Sequence, residues 1–253
     1  MDTSSKKYYI LLHTGFAVFM LGLWYGLHYL NPAAIPTPLQ VLDALLTQIK
    51  NEGLVNAIVD AMYAILTGFF FAAFVGVPFG LLMGLSRYAE QIFDPYLNAL
   101  YVTPFSALVP ALIAWFGTGI QIRIIVCFFF AIFPITINVL EGTKSAPKEL
   151  QEVVRSFGGN SYHLIRTVIL PYEVPYLAAG FRLGIGRAVK GLVISELLIA
   201  VTGLGGILTQ WSSSFDMSGV FSVVIVLMSM GIILTRLLKE IEAFLIDWEV
   251  RNV

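Results

Sequence analysis

The sequence predicts an all-α integral membrane protein with six transmembrane helices. Of its 253 residues, 58% are hydrophobic and only 12% are charged, whereas an average soluble domain carries about 25% charged residues. Six apolar runs approach the roughly 20 residues that a helix needs to cross a bilayer. Lysine and arginine residues concentrate in alternate connections between these runs, which is the usual pattern of a multi-pass membrane protein.

Composition also excludes three other classes of protein. The net charge of -1 leaves no basic surface for nucleic acid, and the high hydrophobic content excludes a disordered chain. Cys127 is the single cysteine and lies inside an apolar run. A secreted disulfide scaffold is therefore excluded, and we expect a buried thiol.

The six predicted spans belong to one transmembrane domain that covers residues 1–253. The spans are residues 8–30, 54–85, 97–116, 122–140, 174–201 and 220–238. The first is longer than the apolar core of a signal peptide, so we expect an uncleaved anchor. Residues 36–56 have the pattern of an amphipathic helix lying at the membrane surface.

Glycine and proline predict local features of these helices. Gly76, Gly80 and Gly84 share one face of the second span, which predicts close packing against a neighbouring helix. Residues 87–95 are predicted to be a polar break, and residues 202–218 a loop rich in glycine and serine. Pro104, Pro110 and Pro134 interrupt the third and fourth spans. Both kinked helices around a pathway and simple helix irregularity explain these prolines.

The distribution of cations predicts that both termini are cytoplasmic. With the N terminus inside, most cations fall on the cytoplasmic side, namely Lys6, Lys7, Arg87, Lys144, Lys148, Arg155, Arg166, Arg236, Lys239 and Arg251. Only Lys50 and Arg123 then lie outside, in agreement with the positive-inside rule. Residues 141–171, here called the 141–171 loop, are the largest polar connection and face the cytoplasm.

Motifs for catalysis and nucleotide binding are missing from the sequence. It contains no G-x-x-x-x-G-K-[ST], H-E-x-x-H or G-x-S-x-G pattern, and His13, His28 and His163 are scattered. We therefore expect no catalytic residue, no metal site and no cofactor in this chain. Any nucleotide would have to be bound by another chain.

The 141–171 loop is predicted to form two short amphipathic helices around a glycine break. In the first helix an apolar stripe lies opposite charged residues; the stripe is Leu150, Val153, Val154 and Phe157, and the charged residues are Glu149, Glu152 and Arg155. After Gly158 and Gly159, Asn160 or Ser161 caps a second helical segment that Pro171 ends. Such short elements need a partner surface, which could be the membrane, the chain's own helices or another protein.

This loop resembles the signature of bacterial ABC-importer permeases: E-A-A, three residues, G, nine residues, I, one residue, L-P. Five positions fall on its spacing, with valine replacing both alanines and the isoleucine: Glu152, Gly158, Val168, Leu170 and Pro171. Over residues 36–238 the chain also resembles the subfamily that imports nitrate, bicarbonate, taurine and alkanesulfonates. The matching residues are Asp94-Pro95, Pro104, Pro110, Trp115-Phe116-Gly117, Pro134, Gly180-Phe-Arg182-Leu-Gly184 and Glu196.

The resemblance implies a single transmembrane permease domain in the bacterial inner membrane. Such a homodimeric subunit moves a small polar or anionic solute, such as a sulfonate, nitrate, bicarbonate or an organic acid, into the cytoplasm by alternating access. An extracytoplasmic binding protein delivers the solute, and two cytoplasmic ATPase subunits hold ATP and magnesium. The resemblance assigns ATPase coupling to Glu149, Glu152, Arg155, Gly158, Ser161, Val168, Leu170 and Pro171.

Ionisable residues in the fifth span are candidates for the solute pathway because a charge in a membrane helix is costly. The candidates are Arg182, Arg187, Lys190 and Glu196, to which Thr103 and Asn138 of other spans add polar groups. Alternatively, Arg182 reaches the membrane interface and Lys190 pairs with Glu196 or another acid. The subfamily usually has tryptophan and an apolar residue where this chain has Val189 and Lys190.

Two other classes of function compete with an importer subunit. A secondary transporter or channel is disfavoured because the sequence shows no inverted repeat. An intramembrane enzyme would need paired catalytic groups at one membrane depth, for which Ser195, Glu196 and Lys190 are the candidates.

Overall fold

Every regular element in the described part of the chain is helical, which confirms the predicted all-α fold. The structure is a computed structural model that describes residues 3–50, 53–199 and 202–250. The predicted span end at residue 201, residues 51 and 52 of the surface helix, and Arg251 lie outside these ranges.

The helices follow one another through short connections. They are α1 (Thr3–Leu30), α2 (Pro38–Lys50), α3 (Gly53–Leu85), α4 (Arg87–Val102), α5 (Val109–Phe116), α6 (Ile120–Ser145), α7 (Lys148–Ser156), α8 (Ser161–Leu164), α9 (Leu170–Ile199), α10 (Gly203–Ser213) and α11 (Met217–Val250). A 3-10 turn, Phe105–Leu108, precedes α5, and a π-helical turn, Ile165–Ile169, joins α8 to α9.

Membrane-spanning segments among the described residues reach six when two bent helix pairs are each counted as one. Helices α3 and α6, Leu11–Leu30 of α1 and Met217–Ala243 of α11 are long and apolar enough to cross a bilayer alone. The first bent pair is α4 with residues 105–116, which meet at 80°. The second is the continuous helix Ser161–Ile199 with α10, bent by 53°. The six-span prediction therefore holds with two broken spans.

The centre of the bundle is a layer in which α6 lies between α3 and α9. Small residues of α3 allow the close approach that the glycine spacing predicted. A Cβ on Gly80 would lie 2.7 Å from both the Thr136 carbonyl oxygen and the Val139 Cβ. On the other side of α6, a Cβ on Gly184 would lie 2.9 Å from Ile135. The glycine face of the second span is thus confirmed as a helix-packing surface.

The region before the third span differs from its prediction. Residues 87–95 are helical rather than a break, because the Ser86 hydroxyl accepts the Ala89 N–H at 3.3 Å and caps α4. Helix α4 instead ends at Val102, and the next residue, Thr103, has an extended ψ of 130°. A residue that precedes proline is driven out of the helical region, so Pro104 breaks the helix completely.

Pro171 does not end the helix as predicted. The helix continues from Ser161 to Ile199, and the N–H of Leu170 bonds to the carbonyl of Ile165 five residues back. This π-helical turn lies directly before Pro171, where a proline has no N–H to donate and crowds the preceding turn. Widening the turn accommodates the ring without breaking the helix.

The bundle has two distinct ends. At one end, here called the loop end, Lys144 of α6 contacts Glu90 of α4 at 2.8 Å. At the opposite end, here called the far end, the Gln48 amide of α2 donates to the Ser222 hydroxyl of α11 at 2.9 Å. The 141–171 loop lies at the loop end, where Leu81 of α3 packs against its buried residues.

Candidate functional site

Helix α7 in the 141–171 loop leaves most of its apolar stripe uncovered. Leu150 is 41% exposed, Val153 is 50% exposed and Phe157 is 89% exposed. Val154 turns toward the bundle and packs against a small cluster that contains Leu164. Because the other three side chains find no cover on their own chain, the loop presents an apolar surface beyond the bundle.

Charged residues flank this apolar surface. Glu149, Glu152 and Arg155 are all exposed on α7. Glu149 lies in the first turn and Arg155 in the last, where each charge interacts favourably with the helix dipole. The surface therefore combines exposed apolar side chains with charges of both signs.

Gly158 makes the sharp turn between the two helical segments. Its φ is +76°, a left-handed conformation that glycine adopts without strain. A Cβ at Gly158 would meet no atom within 4 Å, so conformation rather than space requires the glycine. Beyond the turn, the Asn160 side-chain oxygen accepts the His163 N–H at 3.1 Å. Asn160 is thus the cap, rather than Ser161, which is exposed.

The last three predicted loop residues have different surroundings. Val168 is 5% exposed and belongs to the buried cluster beneath α7. Leu170 and Pro171 line a mostly apolar groove of about 420 Å³ between the start of α9 and the end of α11. Of the eight residues predicted to couple to the ATPase, five are therefore exposed around α7 and Gly158, Val168 is buried, and Leu170 and Pro171 line a groove.

Two of the six predicted pathway residues share one cavity. Thr103 and Arg187 line a recess of about 270 Å³ between the α4–α5 break, α6 and α9. The Arg187 guanidinium donates to the Tyr101 hydroxyl at 3.1 Å, and its carbon lies 5.3 Å from the Tyr101 ring centroid. Stacked rings of Phe105 and Phe129, with centroids 4.6 Å apart, line the same recess. The cavity therefore offers a cation beside aromatic faces.

The other four residues are spread over separate places. The Asn138 amide donates to the Pro134 carbonyl one turn back at 2.8 Å. Arg182 pairs with Glu242 of α11 at 3.2 Å. Lys190 is exposed at a groove between α9 and α11 that also contains Arg236.

Glu196 pairs with Arg123 of α6 at 3.2 Å, not with Lys190. The Ser195 hydroxyl donates to the Leu192 carbonyl at 2.8 Å. Ser195, Glu196 and Lys190 are therefore not arranged as a catalytic group. Among residues 3–50, 53–199 and 202–250, no three His, Cys, Asp or Glu side chains are placed to share a metal ion.

Two buried ionisable residues escaped the sequence reasoning. Arg123, predicted to be an external cation, is 4% exposed within the bundle. Glu173 is fully buried near the start of α9 and accepts the Thr143 hydroxyl at 2.9 Å. Each is a charged residue at the end of an apolar run, and this pattern could have identified both as candidate buried charges.

The long apolar helices, together with the two bent helix pairs, define a multi-pass membrane protein. The model of the family described as "Binding-protein-dependent transport system inner membrane component" matches residues 76–245. The chain belongs to this family of ABC transporter permeases. The resemblance predicted from the 141–171 loop is thereby confirmed.

Named relatives and a solved structure agree with this assignment. The taurine transport system permease protein TauC of Escherichia coli K12 is 30% identical over 78% of this chain and 74% of its own length. The formylaminopyrimidine transport permease protein ThiX of Halalkalibacterium halodurans is 28% identical over 98% of this chain and 99% of its own. A chain of the MetNI methionine ABC transporter, in an inward-facing conformation, shares the fold with a TM-score of 0.69. That chain is 19% identical, and the match covers 77% of this chain and 96% of the other.

Proposed function

We propose that this chain is the translocation subunit of an ATP-driven importer. It moves a small polar or anionic solute from an extracytoplasmic binding protein into the cytoplasm by alternating access. ATP and magnesium are bound by a separate ATPase that docks on the 141–171 loop, so this chain itself is not an enzyme. Both termini and the loop end face the cytoplasm.

The exposed apolar surface of α7 is the observation that carries this proposal. Phe157 is 89% exposed at a polar projection of the chain. The charges of Glu149, Glu152 and Arg155 on the same short helix make insertion into hydrocarbon costly. An apolar centre with a charged rim has the composition of a protein interface. A cytoplasmic protein partner therefore fits this surface better than lipid does.

The solute pathway is proposed to follow the outer face of α9 toward a second copy of the chain. Leu183, Arg187, Lys190 and Leu197 recur at helical spacing and are exposed there. Across this face, the recess of Arg187 and Thr103 supplies a cation and a hydroxyl. TauC and ThiX are named for a sulfonate and a substituted pyrimidine, both small polar solutes that this recess could bind.

Docking is tested by truncating one exposed aromatic ring. Phe157→Ala should weaken ATPase association by about 30-fold, because truncating a central interface residue costs about 2 kcal/mol or more. The measurement is quantitative pull-down of the ATPase by the purified permease. Phe74→Ala is the matched control, since Phe74 is 68% exposed on α3 away from the loop. Equal affinity of Phe157→Ala and wild type would contradict docking at this surface.

Orientation and energy source need a second pair of measurements. In a Cys127→Ser background, Ser213→Cys should react with an impermeant maleimide in intact cells and Lys148→Cys should not. Labelling at position 148 would overturn the orientation. Purified permease without ATPase should transport nothing in proteoliposomes, whereas transport under those conditions would indicate a secondary carrier.

A further inference from the structure

The far end of the bundle holds a buried network of Arg123, Glu196, Thr202 and Gly205. Arg123 lies in the first turn of α6 and Glu196 in the last turn of α9, and their side chains are 5% and 0% exposed. The guanidinium contacts the carboxylate at 3.2 Å and also donates to the Thr202 hydroxyl. The second carboxylate oxygen accepts the N–H of Gly205 at 3.0 Å.

This network supplies the capping groups of α10. Thr202 occupies the N-cap position, but its hydroxyl accepts Arg123 rather than an amide of its own helix. The Glu196 carboxylate, from nine residues earlier, accepts the Gly205 amide instead. An anion at a helix N terminus is favourable because the unpaired amides and the helix dipole both attract it. The first turn of α10 is therefore attached to α6 and α9 through charged side chains.

Close backbone packing accompanies the charges. A Cβ on Gly205 would lie 2.5 Å from the Cβ of Glu196, so only glycine lets α10 contact the last turn of α9 this closely. Gly203 has φ of +74°, which again favours glycine. Leu204, between these glycines, is fully buried in the main core.

The buried ion pair is better suited to fixing the position of α10 than to stabilising the fold. Replacing a buried ion pair by apolar residues is often neutral or stabilising, because desolvation offsets much of the attraction. Here the Nε of Arg123 also has no hydrogen-bond partner among the described residues. Removing one partner, by contrast, leaves an uncompensated buried charge. Because Arg123 also binds Thr202 and Glu196 also accepts the Gly205 amide, a displaced α10 would leave these buried charges with fewer partners.

Helix α10 lies at the far end of the bundle and is too short to cross a bilayer by itself. Its 11 residues span only about 16 Å, and it packs against α3, α9 and α11. It meets the long helix Ser161–Ile199 at 53°. A short broken helix that packs on three spans can move as a unit while those spans stay in place.

We propose that Arg123 and Glu196 are positioning residues that hold α10 in one fixed place at the far end of the bundle. Their release of α10 accompanies opening toward the binding protein. This inference rests on the proposed function, because it assigns the far end to the extracytoplasmic side. Without the pair, α10 detaches more often, and the ATPase cycles without the signal from a docked binding protein.

The inference can be tested on the permease alone by measuring how accessible α10 is to a maleimide. Leu204→Cys in a Cys127→Ser background places a thiol that reacts with maleimide only when α10 leaves the core. The test variants are Glu196→Gln, Arg123→Met and the double variant. Each should label at least about fivefold faster, the lower end of typical coupling between sites. Glu90→Gln is the matched control, since it breaks the ion pair with Lys144 at the loop end and should not change labelling.

ATP turnover in proteoliposomes with the ATPase gives the second readout. The double variant leaves no lone buried charge, so it should accumulate and bind the ATPase like wild type. It should nevertheless hydrolyse ATP at least about fivefold faster than wild type without binding protein. Wild-type labelling and turnover in the double variant would mean that the pair is merely structural. Failure of the double variant to accumulate would contradict the inference in the same way.

The two proposals fail in different ways. Faster labelling in the double variant, together with a wild-type permease that shows no ATP-driven uptake, would keep the role of the pair and reject the importer. ATP-driven uptake by wild type with slow labelling in every variant would keep the importer and reject the role of the pair.

Discussion

The two ends of the bundle handle charge in opposite ways. At the loop end, the Lys144 and Glu90 side chains pair while 41% and 31% exposed. At the far end, Arg123 and Glu196 pair while almost fully buried. The loop end thus presents charges and apolar side chains that a partner can cover, whereas the far end uses charge to fix its own helices. This difference is the one expected if, as we propose, the loop end is a docking surface and the far end a positional constraint.

The largest expected effect is a difference in the free energy of unfolding between two variants, each of which breaks one ion pair at one end of the bundle. Glu196→Gln leaves Arg123 buried without its partner, so the free energy of unfolding should fall by about 3–5 kcal/mol. Glu90→Gln removes a half-exposed pair and should lower it by at most about 1 kcal/mol. Thermal unfolding of both variants in detergent measures the contrast. Similar melting temperatures for the two variants would refute it.

A glycine exchange sharpens the assignment of the loop end. Gly158→Val forces a β-branched residue into a left-handed conformation at a cost of about 1–3 kcal/mol. Uptake should be lost while the membrane level stays normal, because no spanning helix changes. Gly158→Asn should retain more uptake, since asparagine tolerates this conformation.

The matched control for the glycine exchange is Gly26→Val, where an added Cβ of α1 meets no atom within 4 Å. It should leave uptake unchanged. The assignment fails if Gly158→Val transports as well as this control in a radiolabelled uptake assay.

Variants of two proposed pathway residues test the middle of the bundle independently of its two ends. Arg187→Met removes the cation from the cavity beside Tyr101, and uptake of an anionic solute should fall about tenfold or more. Lys190→Met should reduce uptake less, at most about fivefold, because this lysine is exposed. Both variants should bind the ATPase normally. Equal uptake by wild type and Arg187→Met would remove the cavity from the pathway.

The sequence predicted the spans and the turn of the 141–171 loop because both depend on local signals. Long apolar runs define membrane helices wherever they pack. Gly158 predicts a turn because the left-handed conformation at this position depends on the residue itself and not on distant neighbours.

Features that depend on distant residues could not be predicted from the sequence. Residues 202–218 were predicted to be a loop because they are rich in glycine and serine, and this was wrong, since Gly203–Ser213 form α10 with capping groups from α6 and α9. Arg123 and Glu196 pair because the start of α6 lies beside the end of α9. This contact between distant segments is not visible in the sequence. Likewise, Pro171 predicted a helix end because nothing in the local sequence shows that a wider turn will accommodate its ring.

The central claim, that the loop end couples to the ATPase, is tested most directly by ATP turnover of the complete complex with and without binding protein. Glu152→Lys reverses a charge on α7, and we expect it to lose both ATPase association and stimulated turnover. The double variant of Arg123→Met and Glu196→Gln should keep the association and hydrolyse ATP without binding protein. Wild-type association and stimulation in Glu152→Lys and Gly158→Val together would contradict the account.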